Sequence, residues 1–137
     1  MGEAIRTVDY FYIETADRPG EGAKVLDGLR GAGVNLLAFT GFPSGRKAQL
    51  DFIPEDVVAF KAAAKKLGLK LSPKKTGFLI QGEDRIGAVA DVMDKLAAAN
   101  INVTAVDAIC AGAGRYGAIL WVKARDVRKA AKALGAA

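Results

Sequence analysis

The second half of this chain repeats the first. Shifting the 137-residue sequence by 67 positions lays Asp17-Arg18-Pro19-Gly20 over Asp84-Arg85-Ile86-Gly87. The same shift lays Ala23, Val25, Asp27, Leu29, Ala32, Asn35 and Ala38 over Ala90, Val92, Asp94, Leu96, Ala99, Asn102 and Ala105, giving ten identities in the 22 positions from Asp17 to Ala38. An offset of 70 then aligns Leu50 with Leu120 and Asp56-Val57 with Asp126-Val127, which places three extra residues between the middle strands of the second half. Leu67-Gly68 returns to register with Leu134-Gly135. A period this long marks the duplication of a domain, not a solenoid. The fold must therefore be one that a chain of about 65 residues can form twice.

Each half shows the same order of elements. Val8 to Glu14 is aromatic and β-branched and reads as a strand. Asp17-Arg18-Pro19-Gly20 breaks it, and Val25, Leu26 and Leu29 follow at helical spacing to Ala32. Asp17 is the expected N-cap, with Pro19 in the first helical turn, where its missing N–H costs nothing. Val34 to Phe42 and Arg46 to Ile53 read as strands around the turn Pro43-Ser44-Gly45. Pro54-Glu55-Asp56 opens a second helix with Val57, Phe60, Ala64 and Leu67 facing inward, and Leu69 to Leu71 is a candidate closing strand. In the second half, strands are expected over Thr76–Gln81, Ile101–Cys110 and Tyr116–Lys123. Helices are expected over Ile86–Ala99, with Val89, Met93 and Leu96 inward, and over Asp126–Leu134. Gly135-Ala136-Ala137 is poor strand material, so the last strand looks truncated. The division expected is one domain over 1–71, a polar linker over 72–75 and a second domain over 76–137. The order βαββαβ predicts an α+β, ferredoxin-like architecture for each half, an antiparallel sheet with both helices on one face.

Composition narrows the function. The chain has no histidine, which removes the usual acid–base catalyst and the commonest metal ligand, so neither a catalytic residue nor a metal site nor a cofactor is expected. The single cysteine, Cys110, excludes a disulfide framework and fits the cytoplasm, where it is expected as a small buried apolar residue. No apolar run is long enough to span a membrane, and Met1 to Tyr10, with Glu3, Arg6 and Asp9, does not read as a secretory signal. The net charge of +5 is expected to be a solvated surface rather than a nucleic-acid footprint. Gly112-Ala113-Gly114-Arg115-Tyr116-Gly117 spells G-x-G-x-x-G, but a strand follows it where a dinucleotide site needs a helix, so it reads as a hairpin turn.

The duplicated signature resembles the ACT family of regulatory domains. Its carriers are Asp17-Arg18-Pro19-Gly20 after the first strand, the amphipathic helix, and Gly33-Val34-Asn35-Leu36 opening the next strand. The second half matches with Asp84-Arg85-Ile86-Gly87 and Asn100-Ile101-Asn102-Val103, departing at Ile86, where the family has proline. The resemblance implies a tandem pair of non-enzymatic modules that bind an amino acid at an interface between two such domains and report on a metabolite to an enzyme. On that reading the ligand-binding residues are Asp17, Arg18, Pro19, Gly20, Asn35 and Leu36 in the first half, and Asp84, Arg85, Ile86, Gly87, Asn102 and Val103 in the second.

The chemistry of these residues points the same way without the resemblance. A glycine turn entering a helix exposes backbone N–H groups and the positive end of the helix dipole, which suit a carboxylate. Asp17 or Asp84 can meet an ammonium group, and Asn35 or Asn102 offers both a donor and an acceptor. Two other readings stand beside this one: a protein-interaction domain whose ligand sites are vestigial, and nucleic-acid binding through the basic helices. Open sheet edges predict a two-fold homodimer.

Overall fold

The computed structural model describes residues 3–137; Met1 and Gly2, which fall within the first expected domain and the N-terminal reading, lie outside the described residues. The strands are β1 (Ala4–Ala16), β2 (Leu36–Ser44), β3 (Lys47–Pro54), β4 (Lys75–Glu83), β5 (Val103–Gly112) and β6 (Arg115–Val122). The helices are α1 (Glu21–Gly31), α2 (Val57–Lys66), α3 (Ala88–Ala98) and α4 (Val127–Leu134), with a single 3-10 turn at Ala124–Asp126. The chain divides into two compact units, Asp9–Lys75 and the segment ending at Val8 together with Thr76–Ala137. This differs from a boundary at 71–76 alone, because β1 is longer than its hydrophobic run and its first residues fall in the other unit.

In the Asp9–Lys75 unit the strands lie in the order β2-β3-β1, paired antiparallel. Alternation along β1 sends Phe11 and Ile13 to one face, where they join Val25 and Leu29 of α1, Leu50 and Phe52 of β3, and Phe60 and Ala63 of α2. Both helices therefore cover the same face. Phe60 anchors this core, its ring centroid lying 5.6 Å from Phe11 and 5.5 Å from Phe52. Tyr10 and Tyr12 take the opposite face. Burial, the nearby carboxylate of Asp51 and then Tyr12 push the Tyr10 phenol up to about 12. Asp51 is itself buried and accepts from Gln49 Nε2 at 2.9 Å. Asp56 caps α2 by accepting from the amide of Ala59 at 3.1 Å.

Two local expectations fail here. The N-cap of α1 is Gly20, in left-handed conformation at φ 89°, and no side chain caps the helix, so Asp17 is free of that duty and Pro19 precedes the helix. Leu69–Leu71 forms no strand; instead Ser72 donates its amide to Tyr12 O at 2.9 Å and receives the Tyr12 amide on Oγ at 3.0 Å.

In the other unit the order is β1-β4-β6-β5, the first place being held by the beginning of β1. Ile5 packs with Phe78, Ile80, Val92, Leu96 and Leu120. The edge of this unit beside β4 is thus formed by the first residues of β1, which were expected in the first domain. Only Ala137 pairs there, donating to Ile5 O at 3.0 Å and accepting from the Thr7 amide at 3.1 Å. The helix α3 begins at Ala88, not Ile86, and its buried stripe is Ala88, Val92 and Leu96 rather than Val89, Met93 and Leu96, which turns the helix by about one residue. Val89 and Met93 are half-buried at its edge.

The three extra residues of the second half also fall differently from expectation. Phe11 pairs with Phe52 and Phe78 with Leu120, so the hairpin strands are offset by 68 (120 less 52), one residue more than the 67 that separates Phe11 from Phe78. That residue sits in a β-bulge between Cys110 and Gly112. The remaining two extend the connection from β6 to α4, where the 3-10 turn stands.

Candidate functional site

Both strand-to-helix turns adopt the same backbone. Gly20 and Gly87 are left-handed at φ 89° and 80°, and a Cβ built on either meets nothing within 4 Å. Glycine is needed there for the backbone angle, not for space. In the second turn Asp84 donates its amide to Gly114 O at 2.9 Å, Ala88 to Arg85 O at 3.2 Å and Asp91 to Gly87 O at 3.0 Å. The amides of Val89 and Ala90, one and two residues into the helix, meet no acceptor among the described residues. They are the orphan donors of a helix start.

These amides open on a cavity of about 290 Å³ lined by Asp84, Arg85, Gly87 and Ala88 to Ala90 on one side and by Ala108, Ile109, Cys110 and Tyr116 on the other. That volume stands at the small end of the range for ligand sites, roughly 300–1,000 Å³. The polar side chains of Asp84, Arg85, Cys110 and Tyr116 on its wall are each held by another side chain. Cys110 Sγ donates to Asp84 Oδ2 at 3.0 Å. Arg85 is drawn back onto Asp91, with Nη2 2.5 Å from Oδ2, and this hydrogen bond raises the guanidinium's already high pKa. The hydroxyl of Tyr116 donates to the carboxylate of Glu3; burial first, and then this bond, raise the phenol well above its ordinary value.

The second-half residues expected at a site separate into two groups. Asp84, Arg85 and Gly87 line the cavity. Ile86 does not, being fully exposed at 101%. Asn102 is exposed and Val103 half-buried at the opposite end of β5. Eight residues of extended chain separate Asn102 from Cys110, about 26 Å at ~3.3 Å per residue. The cause is the βαβ crossover: β4 and β5 both run antiparallel to β6, so β5 starts at the far end of the sheet from the turn that follows β4. The same holds for Asn35 and Leu36, where the Asn35 carbonyl accepts from Glu55 at 3.0 Å. Neither asparagine is brought to the turn of its own unit.

Asp17, Arg18, Pro19 and Gly20 repeat the backbone of the second turn with different surroundings. Arg18 pairs with Glu21 at 3.4 Å on the surface. By pairing position, Pro43 and Ala48 stand where Cys110 and Tyr116 stand in the second half. The wall of the cavity opposite the turn was missed at the sequence level. Cys110, expected buried, is exposed and turned toward Asp84. The signal for it was the single extra residue in the second hairpin, since bulges re-aim the side chains beside them. The G-x-G-x-x-G run is a hairpin turn, with Gly112, Ala113 and Gly114 all at positive φ.

Among the described residues no group of histidine, cysteine, aspartate and glutamate side chains is arranged to hold a metal ion, and no helix is long and apolar enough to cross a membrane.

Solved structures share this fold. Protein BT0572 from Bacteroides thetaiotaomicron superposes with a TM-score of 0.82 at 16% identity, over 96% of this chain and 88% of that one. The regulatory subunit of aspartate kinase from Thermus thermophilus, in its ligand-free form, superposes with a TM-score of 0.66 at 19% identity, over 98% and 95%. The aspartate kinase of Clostridium acetobutylicum gives 0.56 at 20% identity over 98% of this chain and 33% of the enzyme. No family model matches the sequence, and no curated protein matches it. At these identities the likeness establishes an ACT-like α+β fold of antiparallel strands and helices.

Proposed function

We propose that this protein is a non-catalytic regulatory module whose Thr76–Ala137 unit binds a small amino acid in the cavity at the start of α3. The carrying observation is the opposition of charge around that cavity: unpaired amides of Val89 and Ala90 at a helix N-terminus beside the carboxylate of Asp84. The amides suit an α-carboxylate and Asp84 an α-ammonium group. The apolar wall of Ala108, Ile109 and Tyr116 takes a short side chain, and the volume of about 290 Å³ suits a small ligand. The fold it shares with the regulatory subunit of aspartate kinase from Thermus thermophilus supports a role in controlling an enzyme.

In this reading Asp84, Arg85 and Gly87 are the ligand-binding residues of the second half, with Asp17, Arg18, Pro19 and Gly20 as the corresponding turn of the first. Asn35, Leu36, Asn102 and Val103 are left to face a second copy of the chain, in keeping with a homodimer. Calorimetric titration with each of the twenty amino acids tests the proposal. The expected outcome is saturable binding of one or a few small ones, with stabilisation of ~2.7 kcal/mol at a hundred times the dissociation constant. Silence across the panel, with no shift in melting temperature, refutes it. Light scattering that returns the 14.3 kDa monomer mass refutes the dimer.

A further inference from the structure

The Asp9–Lys75 unit has a second cavity, of about 440 Å³, lined by Ile13, Glu14, Thr15, Glu21, Lys24, Val25 and Leu67 to Lys70. None of the four residues of the glycine turn lines it, although Thr15 and Glu21 on either side of the turn do.

The backbone around this cavity is left open. Tyr12 exchanges hydrogen bonds with Ser72, so its N–H and C=O point away from β3. Backbone groups alternate sides along a strand, so those of Glu14 point the same way. Past Ser72, however, the two chain segments part. Among the described residues no hydrogen bond joins the backbone of Glu14 to that of Lys70 across this gap, while the Leu69 amide turns back to Ala64 O at 2.9 Å. Two stretches of exposed chain thus flank the cavity, with backbone donors and acceptors left to solvent. The side chains add charges of both signs. Glu14, Lys24 and Lys70 make no ion pair among the described residues, and Glu21 reaches only Arg18. Ile13, Val25 and Leu69 give the apolar floor.

We infer that this cavity is a binding site for a dipolar ligand with peptide-like donor and acceptor groups and an aliphatic body. The ligand's own N–H and C=O complete the ladder beside Glu14, its carboxylate meets Lys24 and Lys70, and its ammonium group meets Glu14. A free branched-chain amino acid and a dipeptide both carry this chemistry; the larger volume here than at the start of α3 gives room for either. The site does not depend on the reading of the α3 cavity, since the two share no residue.

Backbone-amide NMR titration of the full chain with leucine, and separately with leucyl-glycine, tests the site and distinguishes the two sources. The expected result with at least one probe is a saturable shift of the Glu14, Leu69 and Lys70 amides, with the Val89 and Ala90 amides reporting independently on the α3 cavity. In the Lys24→Glu, Lys70→Glu variant, whose exposed side chains leave the fold intact by circular dichroism, the affinity should fall about tenfold or more, as expected when charge-assisted hydrogen bonds are lost. The proposal is overturned if those amides stay still with both probes at about 10 mM, well above a ~1 mM dissociation constant. It is equally overturned if the charge-reversed variant binds as tightly as the wild type.

Discussion

Replacing Gly87 with alanine separates backbone conformation from packing at the candidate site. Gly87 stands at φ 80°, and a Cβ there meets no atom within 4 Å. The substitution therefore carries a conformational penalty and no steric one. Holding an L-residue in the left-handed region costs about 1–2 kcal/mol, of which a reduced unfolded-state entropy returns about 0.4–1 kcal/mol. The net loss should be about 1 kcal/mol, which lowers the melting temperature by about 4 °C in a chain of this size. Gly22 is the internal control. It lies in the first turn of α1, has no positive φ, and its Cβ also meets nothing within 4 Å. Gly22→Ala should therefore raise stability by about 0.5–1 kcal/mol. The assay is urea unfolding of both variants with unchanged m-values. Opposite signs are expected; if Gly87→Ala matches or exceeds the wild type, the left-handed turn is wrong, and with it the aim of the α3 amides. The same variant tests the site: a loss of amino-acid affinity at a temperature where the fold is intact shows that the left-handed turn, through its backbone or through contact with the ligand, takes part in binding.

Other consequences can be read directly. Leu96 is fully buried in the core of its unit, so Leu96→Ala should cost about 2–5 kcal/mol in urea unfolding. The Tyr10 phenol is raised from 10.0 to about 12, so the folded state keeps its proton after the unfolded chain has lost it; stability should be level below pH 10 and fall as pH rises from 10 to 12. Tyr10→Phe should flatten that fall, as followed by urea unfolding at pH 9 and pH 11.5. Cys110 is exposed on the wall of the α3 cavity, so its thiol should react with an aromatic disulfide reagent without unfolding, and a bound amino acid should slow that reaction.

The elements and their order were legible because apolar spacing alone separates the helices from the strands. Phe11 and Ile13 alternate, and Val25 and Leu29 recur at helical spacing; both pairs are buried together as expected. The division into units was less legible. Nothing in the alternation of Val8–Glu14 announces that the strand begins at Ala4 and that Ile5 packs against Phe78 and Ile80, because a strand's local pattern does not specify its partner. Asp17 satisfies every local rule for an N-cap, yet the chain reaches the helix through a left-handed glycine that lets the first turn close without it.

The site shows how a duplication can preserve a motif while its surroundings diverge. Asp-Arg-x-Gly recurs with the same backbone in both halves, so the motif alone assigns two equal sites. A cavity also needs an opposite wall, and that wall comes from the hairpin, where the halves differ by one residue. The bulge between Cys110 and Gly112 brings a thiol to Asp84, and Tyr116 closes the floor, where the first half has Pro43 and Ala48. Asn35 and Asn102 carry the complementary error: they sit beside the turn in the motif but a strand's length from it in space, because the crossover reverses the chain between them. Deleting Ala111 puts this to the test. The second hairpin would then have the regular register of the first, and Cys110 would lose its aim on Asp84. If amino-acid binding at the α3 amides follows from the bulged wall, the deletion abolishes it while α3 and its glycine turn remain folded by amide exchange. Undiminished binding in that variant would show that the turn alone makes the site and that the hairpin does not shape it.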